Sequence, residues 1–413
     1  MIDSIIKNKL TETKLITAQN RRKEIRKYLD YYSATSTDQY IKSYFQGDAF
    51  SEIPPSLTNF TRKFINKISR IYTLGANRTT GSTTDIYNSL ITTKDVRMKH
   101  SERMTRLVGT IANRIYWENE KFEYRPIYYF EAYFGDNPFK PEAIIYPLLN
   151  QSSDLSNTLG LQWAYWDSSM YAVLDDSGKL LKELENPLGI LPFVFTHRED
   201  QLDSFFVEGA GDIINCNEQV NIGLTEMNLG LRFNIILDMG EDGQYNVTSP
   251  SGNIAEAINN IKFQIELVAS NNHLWIQWAE SGGEVPSGIS LMIKDLERKE
   301  DYFDDIAMWR LYEKDFYEVE KAIAGYNGIH LSEDFGVDFE EVEYPTTVQD
   351  QILKDQFDLE QNLTTRAKMM IRDNKDLTMK QAQGIIDANR QTNESESSQS
   401  IFAQFRQEAG QNQ

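Results

Sequence analysis

The sequence predicts an α+β chain, with helical segments in its first and last thirds and a β-rich part set among them. Three observations predict it: apolar residues recur at helical spacing from 4 to 32 and again beyond 203, the pattern alternates with period two between 122 and 198, and 289–326 reads as one very long helix. At 413 residues the chain has room for two or three domains. Hydrophobic residues make up 40% and aromatics 12%, which excludes disorder of the whole chain.

The first predicted helix carries Ile5, Ile6, Leu10, Leu15, Ile16, Ile25 and Leu29 on its apolar side and Arg21-Arg22-Lys23 on its polar side. A second restarts after Pro54-Pro55, with Phe60, Phe64, Ile65, Ile68 and Ile71 on one face and Gly75 near its end. A third helical stretch is expected over 100–120. From 122 to 198 short strands follow, with Asp176-Ser177-Gly178 as a hairpin turn. The stretch ENPLGILPFVFTHRED, 185–200, reads as a turn, a strand from Leu191 to Phe195 and a charged stop.

After Asp203 the helical period returns through Ile213, Ile214, Val220, Leu224, Met227 and Leu231. DMGEDGQYNVTSPSGN is turn-rich, and a second helix is expected from 254 to 279. ESGGEVPSG at 280–288 cannot continue it. The long pattern at 289–326 exceeds the roughly 8 to 20 residues of ordinary globular helices. Residues 337–344 alternate as a strand, and two more helices follow, with Thr378 a capping residue three positions before Gln381. The last residues are polar and low in complexity.

Chemistry-bearing motifs are scarce. Cys216 is the single cysteine, and His100, His197, His273 and His330 lie far apart in sequence, which gives no zinc spacing and no internal disulfide; a reducing cytosol is the expected setting. His273 reads as a packed or capping residue. VEGAGD at 207–212 superficially resembles a phosphate loop but lacks the third glycine and a lysine. Asp304-Asp305 and Glu340-Glu341 are acidic pairs that could in principle make a two-metal site, but neighbours on a helix diverge by about 100°, so Asp304 and Asp305 do not face one metal, and a solvated acidic face is expected. No cofactor is expected. No window holds eighteen consecutive apolar residues, and Lys7, Lys9 and Lys14 interrupt the start, so neither a membrane span nor a secretory signal is expected. Lys and Arg number 42 against 62 Asp and Glu, a net charge of −20, which argues against gripping nucleic acid through its phosphates. It leaves open a protein that DNA passes without sticking.

The order of parts resembles the portal proteins of tailed bacteriophages, the connectors between head and tail. Asn186, Pro187, Gly189, Pro192 and Phe193 match an Asn-Pro-x-Gly-x-x-Pro-Phe turn and strand of those families, and Ser287, Gly288 and Ile289 match the Ser-Gly-aliphatic start of their long helix. RRKEIRKYLDYYSA and NFTRKFINKISRIYTLGANR look like their N-terminal wing helices. The resemblance implies a wing over 1–203, a first stem helix over 204–234, a clip over 235–252, a second stem helix over 253–279, a tunnel loop over 280–288, a long wing helix and return strand over 289–345, and a helical crown with a tail over 346–413. It implies a DNA-facing tunnel loop of Glu280, Ser281, Gly282, Gly283, Glu284, Val285, Pro286, Ser287 and Gly288. It implies a clip with Asp238, Glu241, Asp242, Gln244, Tyr245 and Asn246 facing the terminase and adaptor. It further implies a non-enzymatic homo-oligomeric ring of about twelve subunits. That ring would sit at one capsid vertex of a virion assembled in host cytoplasm, contacting the major capsid protein, the terminase large subunit and a head-tail adaptor. Double-stranded DNA would pass through it without sequence-specific binding, and no membrane would be involved. Gly209, Ala210 and Gly211 are small enough to let helices pack side by side in such a ring. Another phage head or neck structural protein, or a metal-dependent nuclease, are the alternatives.

Overall fold

In a computed structural model of the chain the described residues are 12, 15–45, 54–148, 162–200, 203–233, 236–239, 245–248, 254–276, 296–339, 355–357, 359–360, 364–374 and 377–390. About half of these are helical and 20% are strand, in several small antiparallel sheets, so the chain is α+β. It divides into two compact units, 1–285 with 293–342, and 286–292 with 343–413.

Helix α1 spans Ile16–Ser33 and stops where Ala34 turns left-handed at φ 58°. A short helix, α2 (Thr37–Tyr44), follows. The helix after Pro54-Pro55 is shorter than its apolar pattern: α3 is Thr61–Ile68, and Ile71 lies beyond it. A buried carboxylate explains the early stop. Glu102 accepts from the backbone N–H groups of Ile71 and Tyr72 at 2.9 and 3.3 Å, so these donors are satisfied without further helix. The chain then forms β1 (Ala76–Thr79), α4 (Thr84–Leu90) and α5 (Lys94–Val108).

The helix expected over 100–120 is corrected at its midpoint, because Thr110–Glu118 is strand β2. Gly109 makes the break, with φ at +95° and its N–H donating to Thr105 O at 2.8 Å. Asn119 and Glu120 both have positive φ, 50° and 60°, as a two-residue type I′ hairpin turn requires. They lead into β3 (Lys121–Ile127).

The alternating segments become β4 (Glu131–Phe134), β5 (Pro141–Leu148), β6 (Gln162–Asp167), β7 (Met170–Leu174) and β8 (Leu180–Glu185), one antiparallel sheet in that order. At the β7–β8 turn Gly178 has φ +82°, and Asp175 Oδ1 accepts from the N–H groups of Ser177 and Lys179 at 2.9 and 2.8 Å. Strand β9 runs Phe193–His197, two residues later than expected, and pairs with β2 in a three-stranded sheet. The turn before it is stapled by Asn186, whose Nδ2 donates to Asp167 O and Ile190 O at 2.9 and 2.8 Å.

Next come α6 (Gly211–Phe233), β10 (Ile236–Met239), β11 (Tyr245–Thr248), α7 (Ile254–Asn271) and α8 (Leu296–Tyr326). Strand β12 (Gly336–Phe339) pairs with β1, with Ala76 opposite Phe339. The second unit includes α9 (Arg366–Asp373) and α10, residues 379–390. The Thr378 capping box forms: its N–H donates to Gln381 Oε1 at 2.9 Å, and Gln381 N–H donates back to Thr378 Oγ1 at 3.4 Å. Among the described residues no helix is long and apolar enough to cross a membrane.

Helix α5 lies between two cores of the first unit. One gathers Ile25, Tyr31, Ile65, Leu107, Trp163 and Ile213, and the other Tyr87, Met98, Phe122, Trp309 and Phe316. Where α5 ends, its backbone touches the approach to α6: Ala210 N–H donates to Leu107 O at 2.9 Å, and a Cβ on Gly209 would lie 2.3 Å from Leu107 O. Gly211 is likewise closed in, since its Cβ would lie 2.9 Å from Tyr28 Oη. These glycines therefore serve a contact within the chain. Gly209→Ala must push two backbones apart and is expected to cost about 2–3 kcal/mol, read as a lower urea midpoint. An unchanged midpoint would mean that this crossing yields freely.

Candidate functional site

Helices α6 and α7 with the strand pair between them form the most distinctive assembly in the first unit. The helices run antiparallel, since Asn272 Nδ2 at the end of α7 donates to Asp212 Oδ2 at the start of α6, at 2.8 Å. Further along, Cys216 Sγ lies 3.6 Å from Gln264 O. Burial pushes the Cys216 thiol up to about 11, the behaviour of an inert packed cysteine. The segment over 235–252, expected as turn-rich, contains a β-hairpin with Ile236 opposite Thr248 and Met239 opposite Tyr245. Of the expected clip residues, Asp238, Tyr245 and Asn246 belong to these strands, with Asp238 opposite Asn246. Glu241, Asp242 and Gln244 lie outside the described residues.

Helix α7 ends at Asn271, short of the expected 279. His273 makes the stop, adopting φ 51° while Leu274 N–H reaches back to Ala269 O at 2.7 Å, a Schellman-type cap. The capping role expected of His273 is therefore met through its backbone. All nine expected tunnel-loop residues, Glu280 to Gly288, lie outside the described residues, as do Glu340 and Glu341.

A polar stripe on α6 anchors this assembly to the N-terminal part of the unit. Asn217 Oδ1 accepts from the N–H groups of Phe60 and Thr61 at 3.1 Å each, and its Nδ2 donates to Thr58 O at 2.8 Å. One turn on, Asn221 Oδ1 accepts from Thr58 N–H at 2.8 Å, and one turn further Thr225 Oγ1 accepts from Ser56 N–H at 2.9 Å. All three side chains are buried, so each bond also removes an unsatisfied group. The extended segment after Pro54-Pro55 is thus gripped through its backbone. The sequence signal for this stripe is the spacing of polar residues at 217, 221 and 225, one helical turn apart.

A second missed feature is a fully buried charge network under α8. Arg78 makes two hydrogen bonds to Glu313, Nε to Oε2 at 2.9 Å and Nη2 to Oε1 at 2.6 Å. Lys94 Nζ lies 3.0 Å from Glu313 and 2.8 Å from Glu320. The phenols of Tyr72, Tyr87 and Tyr124 donate to these carboxylates at 2.6, 2.5 and 2.7 Å. Despite complete burial, Lys94, Arg78 and their hydrogen bonds hold the Glu313 carboxyl down at about 2. The network joins β1, β3, α4 and α5 to α8.

Nearby, Glu102 behaves in the opposite way. Burial pushes its carboxyl up from 4.5 to about 7, against the pull of the Ile71 and Tyr72 N–H groups and Arg106. The folded chain keeps this proton where the unfolded chain releases it, so this contribution to stability is full below pH 4.5 and lost as pH rises to about 7. The loss is of order 3 kcal/mol. It should shrink in Glu102→Gln, measured as the difference in denaturant midpoint between about pH 5 and about pH 7.5. Parallel changes in both proteins would remove Glu102 as the source.

Of the acidic pair Asp304-Asp305, Asp305 is ion-paired with Arg106. Among the described residues no three His, Cys, Asp or Glu side chains form a group that could hold a metal. His197 is buried beside Thr110 Oγ1, at 3.0 Å, and desolvation lowers it to about 4. No protein-family model and no curated protein matches the chain.

Proposed function

We propose that the chain is a portal-type subunit: a ring of identical copies, about twelve by resemblance, at one capsid vertex, through which double-stranded DNA passes during packaging and ejection. The observation that carries the reading is the helix–hairpin–helix assembly, α6, β10–β11 and α7, set after an antiparallel sheet region and before the 31-residue helix α8. That order is the one the sequence resemblance implies. In this reading α6 and α7 are the stem helices, the β10–β11 hairpin is the clip that meets the terminase and later the adaptor, and 280–288 is the tunnel loop.

Two further features support it. The face of α7 opposite Ile261, Ile265 and Val268 carries Phe263 and Leu267, which are 61% and 50% exposed and suit a neighbouring subunit. The net charge of −20 suits a channel that repels DNA at close range and lets it slide. Native mass spectrometry and negative-stain images test the reading, and closed rings with a central channel are expected. Stable monomers alone, across salt and protein concentration, would overturn it.

A further inference from the structure

A cleft of about 1270 Å³ opens between β9, the segment joining β4 to β5, and α8. Its apolar lining includes Phe134, Phe139, Leu191, Phe195, Met308 and Leu311, of which Leu311 is 66% exposed. Its acidic lining includes Glu142, Glu199, Asp315 and Glu318, whereas Lys140 is its one lysine or arginine among the described residues. Desolvation pushes the Asp315 carboxyl up and Glu318 adds to this, although Lys314 and Lys140 pull it down. A further cation there would relieve that repulsion.

A surface of matching chemistry lies around α3. Between residues 54 and 84 the chain carries Arg62, Lys63, Lys67, Arg70 and Arg78 and no Asp or Glu. Arg78 is buried in the network under α8, but Arg62, Lys63 and Lys67 are exposed beside Asn59 and Asn66. On either side in sequence, Leu57 and Leu74 are 50% and 49% exposed.

We infer that the acidic cleft of one copy receives the α3 surface of a second copy, with cations against carboxylates and leucines on the apolar floor. This rests on the ring reading and names a contact within it. A nucleic acid would satisfy the cations and leave the cleft vacant, whereas a second copy uses both surfaces. The two surfaces belong to different parts of the chain, so the contact is heterologous and repeats from copy to copy until a ring closes.

Charge reversal tests it. Lys63→Glu with Lys67→Glu makes the α3 surface acidic, and Glu199→Lys with Asp315→Lys makes the cleft basic. Each double variant alone should need at least about tenfold more protein to assemble, with a circular-dichroism melt like that of the wild type. Mixed one to one, the two restore charge opposition at every contact, and alternating rings should form at wild-type concentration. Lys63→Gln with Lys67→Gln should weaken assembly less, in the same direction. Wild-type assembly of either charge-reversed variant alone, or failure of the mixture, overturns the pairing and leaves the ring reading intact. Wild-type protein that never assembles overturns both. Salt-dependent binding of duplex DNA that is lost on reversing Lys63 and Lys67, with assembly unchanged, assigns the surface to nucleic acid instead.

Discussion

Replacing Glu313 by alanine is expected to destabilise the first unit by about 3–5 kcal/mol, the cost of leaving a buried charge without its partner. Two cations lose a counter-charge at once, because Arg78 holds both Glu313 oxygens and Lys94 lies 3.0 Å from one of them. Glu320 remains for Lys94 at 2.8 Å, whereas Arg78 keeps Asp95, whose side chain is half-exposed, at 2.7 Å. Removing Arg78 together with Glu313 should therefore cost less than the sum of the single losses. A double-mutant cycle in urea measures the coupling, and additive losses would show that the pair is not a unit. The network also has an acid limit. Glu313 is held at about 2, so its contribution is full above its ordinary value of 4.5 and is lost as pH falls toward 2.

This network shows what was legible in the sequence and what was not. Glu313 and Glu320 are seven residues apart on α8 and fall on the same face as Trp309, Phe316 and Ile323, all buried, so their spacing marked them as inward-facing. Their partners were not readable, since Arg78 and Lys94 come from more than 200 residues earlier and no periodicity connects them. The same limit hid β1, which exists because it pairs with β12, and neither strand is stable alone. The strand at 121–127 was legible because alternating burial writes itself into alternating residues, whereas β5 and β6 are buried along almost their whole length and were legible as short aromatic and aliphatic runs between turns. The stretch over 100–120 failed because helical spacing runs up to Val108, and the change of period turns on Gly109 alone. The α6–hairpin–α7 assembly was legible in outline, as two helices around a turn-rich module. Its grip on residues 56–61 depends on backbone groups that carry no sequence signal of their own.

Phe263→Glu is expected to abolish ring assembly while leaving the subunit folded. Ile261, Ile265 and Val268 fall within about 60° of one another around α7, and a Cβ on Gly223 of α6 would lie 3.6 Å from Ile261 Cδ1, so this face is occupied within the chain. Phe263 lies on the opposite side and is 61% exposed, so replacing it should change subunit stability by no more than about 0.5 kcal/mol. Burial against a neighbour would contribute about 1.5–3 kcal/mol per contact, and the buried carboxylate adds a desolvation penalty. In a closed ring this loss recurs at every subunit boundary, so a modest change per contact becomes an all-or-none change in assembly. Leu267→Glu should act in the same way, whereas Ile261→Glu should lower the melting temperature of the subunit itself. Native mass spectrometry paired with circular-dichroism melts separates the two effects. Rings of the Phe263→Glu protein at wild-type concentration would take the outer face of α7 out of the interface, and a lowered melt would place Phe263 in the subunit's own core.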